Sequence, residues 1–186
     1  MEREHDSGAD SHPMRWNGWG DPAKAKDLPF AVRSLLPLLL GRIRRPDDAV
    51  ALAEVQLDAL RLSDADLAAF SDVVGEGHVD TSDEARIRHA GGRSTPDLLR
   101  RRHRRQQAPD AVLRPGSHDE VHECLHVAGQ RGIAVIPFGG GTSVVGSLDP
   151  ETGAQRAVVS LDLRRLRGLL SYDATSGEAR FGAGTT

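Results

Sequence analysis

The feature that most constrains the fold is the run Ile133-Ala-Val-Ile-Pro-Phe138 passing directly into Gly139-Gly-Gly-Thr-Ser143. Six apolar residues bounded by glycines suit a strand buried on both faces better than a helix. Three successive glycines carry no side chains, so their amides can approach a ligand closely and adopt positive φ. Consecutive N–H groups turned inward make a concave anion site, and the Thr142 and Ser143 hydroxyls add donors at its rim. A pyrophosphate is the natural guest. The competing reading is a tight turn between two strands that binds nothing. Such a turn needs one or two glycines, and three followed by Thr-Ser exceed that need.

Neither common nucleotide signature accounts for this loop. Gly139 to Thr142 is not followed by Gly-Lys-Ser/Thr, so a P-loop and its phosphate-binding lysine are excluded. A Rossmann fingerprint opens a helix and has an acidic residue about 20 positions on. Asp162 stands near that offset, but Val144 to Gly153 has no helical pattern. A different dinucleotide cradle is required.

Around the loop the pattern reads strand, helix, strand. Ala111 to Arg114 is a strand candidate ended by Pro115-Gly116, and Ser117-His-Asp-Glu120 has the form of a capping box. Val121, Cys124, Leu125 and Ala128 fall on one apolar helical face, which Gly132 stops. With Ile133 to Phe138 these elements predict a βαβ unit. Ala157 to Leu161 is a further strand and Asp162 to Arg167 a turn or short helix. Leu169 to Tyr172 and Glu178 to Phe181 form a strand pair around Ala174-Thr-Ser-Gly177.

Upstream, Pro29 to Gly92 is helical in pieces. Ala49 to Leu60 is apolar at helical spacing. Ser63-Asp-Ala-Asp66 predicts an N-terminal box for a helix through Leu67, Phe70 and Val74, stopped by Gly75. Thr81-Ser-Asp-Glu84 predicts a second box, and Thr95-Pro-Asp places a cap before a proline at the first helical position. Arg15-Trp-Asn-Gly-Trp-Gly-Asp21 holds both tryptophans. Two large rings among glycines suit an arm that docks on a larger body, or a small cluster beneath a loop. Residues 1–13 are polar and aperiodic, and are expected to be a disordered tail.

Composition excludes several classes. Hydrophobic residues make up 38 % and aromatics 4 %, so a core must come from Leu, Val, Ile and Ala. The longest apolar stretch, Leu35 to Leu40, is broken by Pro37 and is far short of the roughly 20 residues that span a bilayer. The charged amino terminus lacks the apolar stretch of a secretory signal, and a lone Cys124 rules out an internal disulfide framework, so a cytoplasmic protein is expected. With net charge −3, no polyanionic partner is indicated. Arg100-Arg-Arg-His-Arg-Arg105 is read as a solvated run spread around a helix, not as a nucleic-acid site. His118, His122 and His126 fall at i, i+4 and i+8, and the third lies too far from the first for one metal ion. Cys124 is a core residue, and His89 and His103 have no companions in the pattern.

The line Ala108-Pro-Asp-Ala-Val-Leu-Arg-Pro-Gly-Ser117, with Ile136-Pro-Phe-Gly-Gly-Gly-Thr-Ser-Val-Val-Gly146, resembles the start of the FAD-binding domain of the vanillyl-alcohol oxidase and p-cresol methylhydroxylase (PCMH) type. Arg15 to Asp21 and Arg88-His-Ala-Gly-Gly-Arg-Ser-Thr-Pro-Asp-Leu98 look like its alkyldihydroxyacetonephosphate synthase branch. The resemblance implies an α+β, α/β fold: an arm and helical region over residues 14–106, then the first βαβ part of a PCMH-type domain over 107–186. That domain is expected to be incomplete, because the chain ends at Gly184-Thr-Thr186 in what reads as mid-element. It implies that Pro137, Phe138, Gly139, Gly140, Gly141, Thr142 and Ser143 wrap the pyrophosphate of non-covalent FAD, and that Phe181 to Thr186 leads into further flavin contacts. The family's cap domain and catalytic residues match no position here, so no catalytic residue and no metal ligand is assigned.

The implied parent activity is ether-lipid synthesis, an acyl group being exchanged for a fatty alcohol. Its small-molecule or lipid substrate, and a possible homodimer, belong to the full-length enzyme. FAD-linked oxidation of a 2-hydroxy acid is the alternative chemistry. A non-catalytic nucleotide-binding module and an inert truncated product are the alternatives outside enzymology.

Overall fold

The computed structural model describes residues 14–24, 26–41 and 50–185. The chain divides into two compact units, Met1–Ala49 and Val50–Thr186. The expected tail, 1–13, lies outside the described residues. In the first unit a turn carries both tryptophans and is closed by Arg15 N–H donating to the Gly20 carbonyl at 3.0 Å. Trp16 is half-buried and Trp19 exposed. Helix α1 (Phe30–Leu40) starts after Pro29 and stops at Gly41, whose φ of 75° favours glycine. Among the described residues no helix is long and apolar enough to cross a membrane.

The second unit begins differently from the sequence expectation. Val50 to Leu60 is not a helix: it has one 3-10 turn at Leu52–Glu54 and then extended backbone. Gln56 N–H donates to Arg104 O at 2.7 Å and Gln106 N–H to Gln56 O at 3.1 Å. Pairing with a distant segment satisfies the backbone that a helix would have satisfied locally, and only Val55 and the later Leu62 become buried.

From Ser63 onward, capping chemistry places the helices. Ser63 caps α2 (Asp64–Val74) in a full capping box with Asp66, and Gly75 ends it at φ 85°. β1 (Val79–Asp80) precedes α3 (Asp83–Arg88). The cap of α3 is Ser82, not Thr81, because the Ser82 hydroxyl and N–H are both fastened to Asp80 Oδ1 and set the turn one residue later. α4 (Thr95–Arg100) is likewise capped by Ser94, with Asp97 completing the box and Pro96 inside the first turn. β2 (Ala111–Leu113) leads to α5 (His118–Arg131), which Ser117 caps and Gly132 closes in the left-handed region. The Glu120 carboxylate accepts from Gly116 N–H, so this third box is only half made.

β3 (Ile133–Phe138) and β4 (Ala157–Asp162) follow, then a 3-10 turn at Leu163–Arg165 and the hairpin β5 (Leu169–Asp173) and β6 (Glu178–Phe181). The main sheet has the order β1-β2-β4-β3, parallel except for β1. The two strands of the predicted βαβ unit are therefore not neighbours, because β4 inserts between them. β3 is consequently an edge strand, only partly buried, with Pro137 exposed where a missing N–H is tolerated. The strands buried at every residue are β2 and β4.

Alternation along β4 divides the core. Ala157, Val159 and Leu161 pack with Phe70, Val74, Cys124 and Ala128 of α2 and α5. Val158 packs with Ile136, Phe138 and Leu148 in a second cluster on the opposite face. The α5 face is narrower than the spacing predicts, since Leu125 is 49 % exposed. Asp66 fastens the first core at its edge, accepting from Arg131 at 3.1 Å and Arg156 at 2.7 Å. Burial pushes this carboxyl up, but hydrogen bonds from Arg156, Ser63 and Arg131 outweigh that and hold it well below the usual carboxylate range. Asp110 does similar work at the strand entry, accepting from Val158 N–H at 2.9 Å and from Arg61.

Candidate functional site: the glycine loop after β3

The loop leaves the carboxyl end of β3 and runs to β4 without a helix between them. This is the arrangement that the Rossmann class lacks, and it agrees with the absence of helical pattern from Val144 to Gly153. A Cβ placed on Gly139 would meet nothing within 4 Å, and one on Gly140 only the Thr142 methyl at 3.8 Å. The loop therefore keeps one open side. Among the described residues, no acceptor meets the backbone N–H of Gly139, Gly140, Gly141 or Thr142. Gly141 has φ 68°, and a Cβ there would lie 2.7 Å from Phe138 Cζ. The Phe138 ring thus folds beneath the loop and leaves room only for glycine above it. Pro137, Gly140 and Thr142 are exposed, Gly139 and Ser143 half-buried, and Phe138 and Gly141 buried. The Ser143 hydroxyl is 2.7 Å from that of Ser147.

Beneath Phe138 lies a polar cluster that the sequence does not reveal. His89 packs against the Phe138 ring, tilted by 48°, with centroids 4.2 Å apart. Its Nδ1 is 2.7 Å from the Ala85 carbonyl, which can only accept, so that nitrogen carries a hydrogen. Its Nε2 is 3.1 Å from Asp162 Oδ2. Asp162 also accepts from Arg164 through the backbone N–H at 3.0 Å and the guanidinium at 2.6 Å. Burial raises this carboxyl, but hydrogen bonds from His89 and Arg164 outweigh it and hold it well below the usual range. The Arg164 guanidinium carbon is 5.8 Å from the Phe138 centroid. His89 thus has the companion that its sequence context did not offer, 73 residues away. Among the described residues, the buried Ser160 Oγ has no hydrogen-bond partner.

The far end of the loop is held by the segment before α4. Arg93 N–H donates to Ser143 O at 2.6 Å, and Gly91 N–H to Leu148 O at 2.8 Å. Arg100 bridges Asp97 and Asp149. Arg101 Nη2 donates to the carbonyls of Ala90, Gly91 and Gly92 at 2.6, 3.0 and 3.3 Å. At 4 % exposure, Arg101 departs from the expectation of a solvated arginine run, whereas Arg100, Arg104 and Arg105 are exposed. Burial and the nearby Arg93 push its guanidinium down to about 10. Arg104 and Arg105 pair with Glu54 and Asp58. A cavity of about 250 Å³ lies between Arg100, Arg101 and Asp149, and no residue of Pro137–Ser143 lines it.

The remaining candidates take structural places. A Cβ on Gly182 or Gly184 would come within 2.2 or 2.0 Å of the Leu166 or Leu163 carbonyl oxygen. These glycines thus let Phe181–Thr185 pack closely on the preceding turn. His118, His122 and His126 are exposed along α5, and His103 is exposed after α4. Cys124 is fully buried, its thiol pushed up to about 11 by burial and by Glu120 and Glu123.

Comparison with known proteins agrees with this geometry. The FAD binding domain family matches residues 109–186. Protein Rv2250A of Mycobacterium tuberculosis is 50 % identical over 105 residues, covering 56 % of this chain and 70 % of that protein. An alkyldihydroxyacetonephosphate synthase of Trypanosoma brucei brucei is 30 % identical over 194 residues, covering 92 % of this chain and 32 % of the synthase. A solved alkyldihydroxyacetonephosphate synthase superposes with a TM-score of 0.81 at 25 % identity, covering 93 % of this chain and 36 % of that one. p-Cresol methylhydroxylase with substrate bound, at 19 % identity and a TM-score of 0.53 over 66 % of this chain and 22 % of its own, is a likeness of fold alone.

Sheet, loop and match together define the class, an FAD-binding domain of the PCMH type. Within that class the chain belongs to the alkyldihydroxyacetonephosphate synthase-like flavoproteins, whose cofactor is FAD. It spans about a third of the length of the synthases it matches.

Proposed function

We propose that Pro137 to Ser143 wraps the pyrophosphate of non-covalently bound FAD, and that the chain is the cofactor-holding part of an ether-lipid-forming flavoenzyme. In that reaction the acyl group of an acyl-dihydroxyacetone phosphate is exchanged for a fatty alcohol. The observation that carries the reading is the open side of the loop, where a Cβ on Gly139 would meet nothing and one on Gly140 only the Thr142 methyl, and where four successive amides have no acceptor among the described residues. A diphosphate needs several donors converging without intervening side chains. When bound, FAD supplies an electron-accepting ring. The chain's own part is to hold the diphosphate through loop amides and the Thr142 and Ser143 hydroxyls. Similarity to synthases over 92 % of the chain, arm included, supports this branch over 2-hydroxy-acid oxidation. A lone, buried Cys124 is in keeping with a cytoplasmic location. The longer enzyme is read as a homodimer, which light scattering tests.

The test is FAD titration of the purified chain followed by flavin fluorescence, beside Gly139→Val and Gly140→Val. Both sites have room for the new side chain in the protein but not beneath a diphosphate. Both variants are expected to fold normally and to bind FAD at least about tenfold more weakly, a penalty near 1.4 kcal/mol. Undiminished binding by the folded variants refutes the pyrophosphate placement, and a wild-type chain that fails to bind FAD refutes autonomous binding.

A further inference from the structure

We propose that residues His89 to Arg101, upstream of the segment that the FAD binding domain family matches, form a clamp that sets the shape of the glycine loop and positions it for the flavin diphosphate. The inference rests on the loop assignment made above.

The loop contributes little to its own order. From Gly139 to Asp149 its internal hydrogen bonds are the Ser143–Ser147 hydroxyl pair, a 3.5 Å contact from Val145 N–H to the Ser143 hydroxyl, and the Gly146–Asp149 turn. Fixing a backbone residue costs about 1–2 kcal/mol, and glycine loses the most freedom. A loop of three glycines therefore binds well only when something else holds it in the bound shape.

The upstream segment grips it at four points. The His89 ring supports Phe138, whose ring in turn lies under Gly141. Arg93 N–H holds the Ser143 carbonyl, Gly91 N–H holds Leu148, and the Arg100 guanidinium holds Asp149. Gly92 permits the approach, since a Cβ there would lie 2.0 Å from the Ser143 carbonyl oxygen. Arg101, buried and donating to three successive carbonyls of Ala90–Gly92, fixes the gripping segment itself. These groups act through the loop, so they are positioning residues.

The test uses the full chain with Gly92→Ala and His89→Asn. Two readouts are taken: backbone ¹⁵N relaxation of Gly139, Gly140 and Gly141, and FAD affinity by fluorescence titration. In the wild type the three glycines are expected to be as rigid as the β4 amides. In both variants they are expected to fall to the flexible range, with order parameters below about 0.6, while Ala157–Leu161 stay rigid and FAD binds about tenfold more weakly. A folded variant with rigid loop glycines overturns the clamp. Global unfolding of both variants also overturns it, because the contacts would then belong to the core and not to the loop. If the wild type fails to bind FAD while the relaxation changes occur, autonomous FAD binding is wrong but the clamp on the loop stands.

Discussion

Replacing Asp162 by asparagine tests the network beneath the loop with one atom changed. In the folded protein its carboxylate is buried, lies 3.1 Å from His89 Nε2, and accepts from the Arg164 backbone N–H and from the Arg164 guanidinium. Removing one partner of a buried pair costs roughly 3–5 kcal/mol. Two features lower that figure here. Asparagine retains one acceptor oxygen, and the Arg164 side chain, 34 % exposed, can turn toward water. His89 has no such escape at 4 % exposure, so a loss of about 2–3 kcal/mol is expected, and a fall in Tm of roughly 8 °C.

The pH dependence of that loss follows from the direction of the shift. The carboxyl is held below its usual value in the folded chain, so its stabilisation is fully present above the unfolded value near 4 and is lost as pH falls below it. Urea midpoints of wild type and Asp162→Asn should therefore differ at pH 7 and converge below about pH 4. Circular dichroism is a suitable probe, because helices α2 to α5 all lie in the second unit. Equal midpoints at pH 7 would show that the cluster does not hold this face of the sheet.

Three further outcomes follow from the same geometry. Ser63→Ala removes the cap of α2 and one donor to Asp66, and a urea titration should show a loss of about 1 kcal/mol or slightly more. Gly184→Ala places a methyl 2.0 Å from the Leu163 carbonyl oxygen, so hydrogen exchange should show faster opening of Leu169–Phe181 while β4 stays protected. Cys124, buried with its thiol pushed up to about 11, should resist a disulfide reagent at pH 8 until urea unfolds the chain. Prompt labelling of the native protein would contradict its place in the core.

The local parts of this fold are legible in the sequence because local chemistry makes them. Ser63 and Ser117 start helices, Gly75 and Gly132 stop them, and the apolar runs 133–138 and 157–161 extend as strands. The glycine loop stands out because three successive glycines directly follow an apolar strand. Where a cap is ambiguous by one residue, as at Thr81 against Ser82, a neighbouring carboxylate decides it. The tertiary structure decides what no local pattern encodes. β4 inserts between β2 and β3, which turns the supposed interior strand into an edge. Gln56 pairs with residues 104–106 and removes a helix that the apolar spacing favoured. His89 meets Asp162, and Arg101 is drawn inward by three carbonyls. Each rests on hydrogen bonds beyond the reach of a single helical turn, where partner choice follows from how the elements pack and not from a local repeat along the chain.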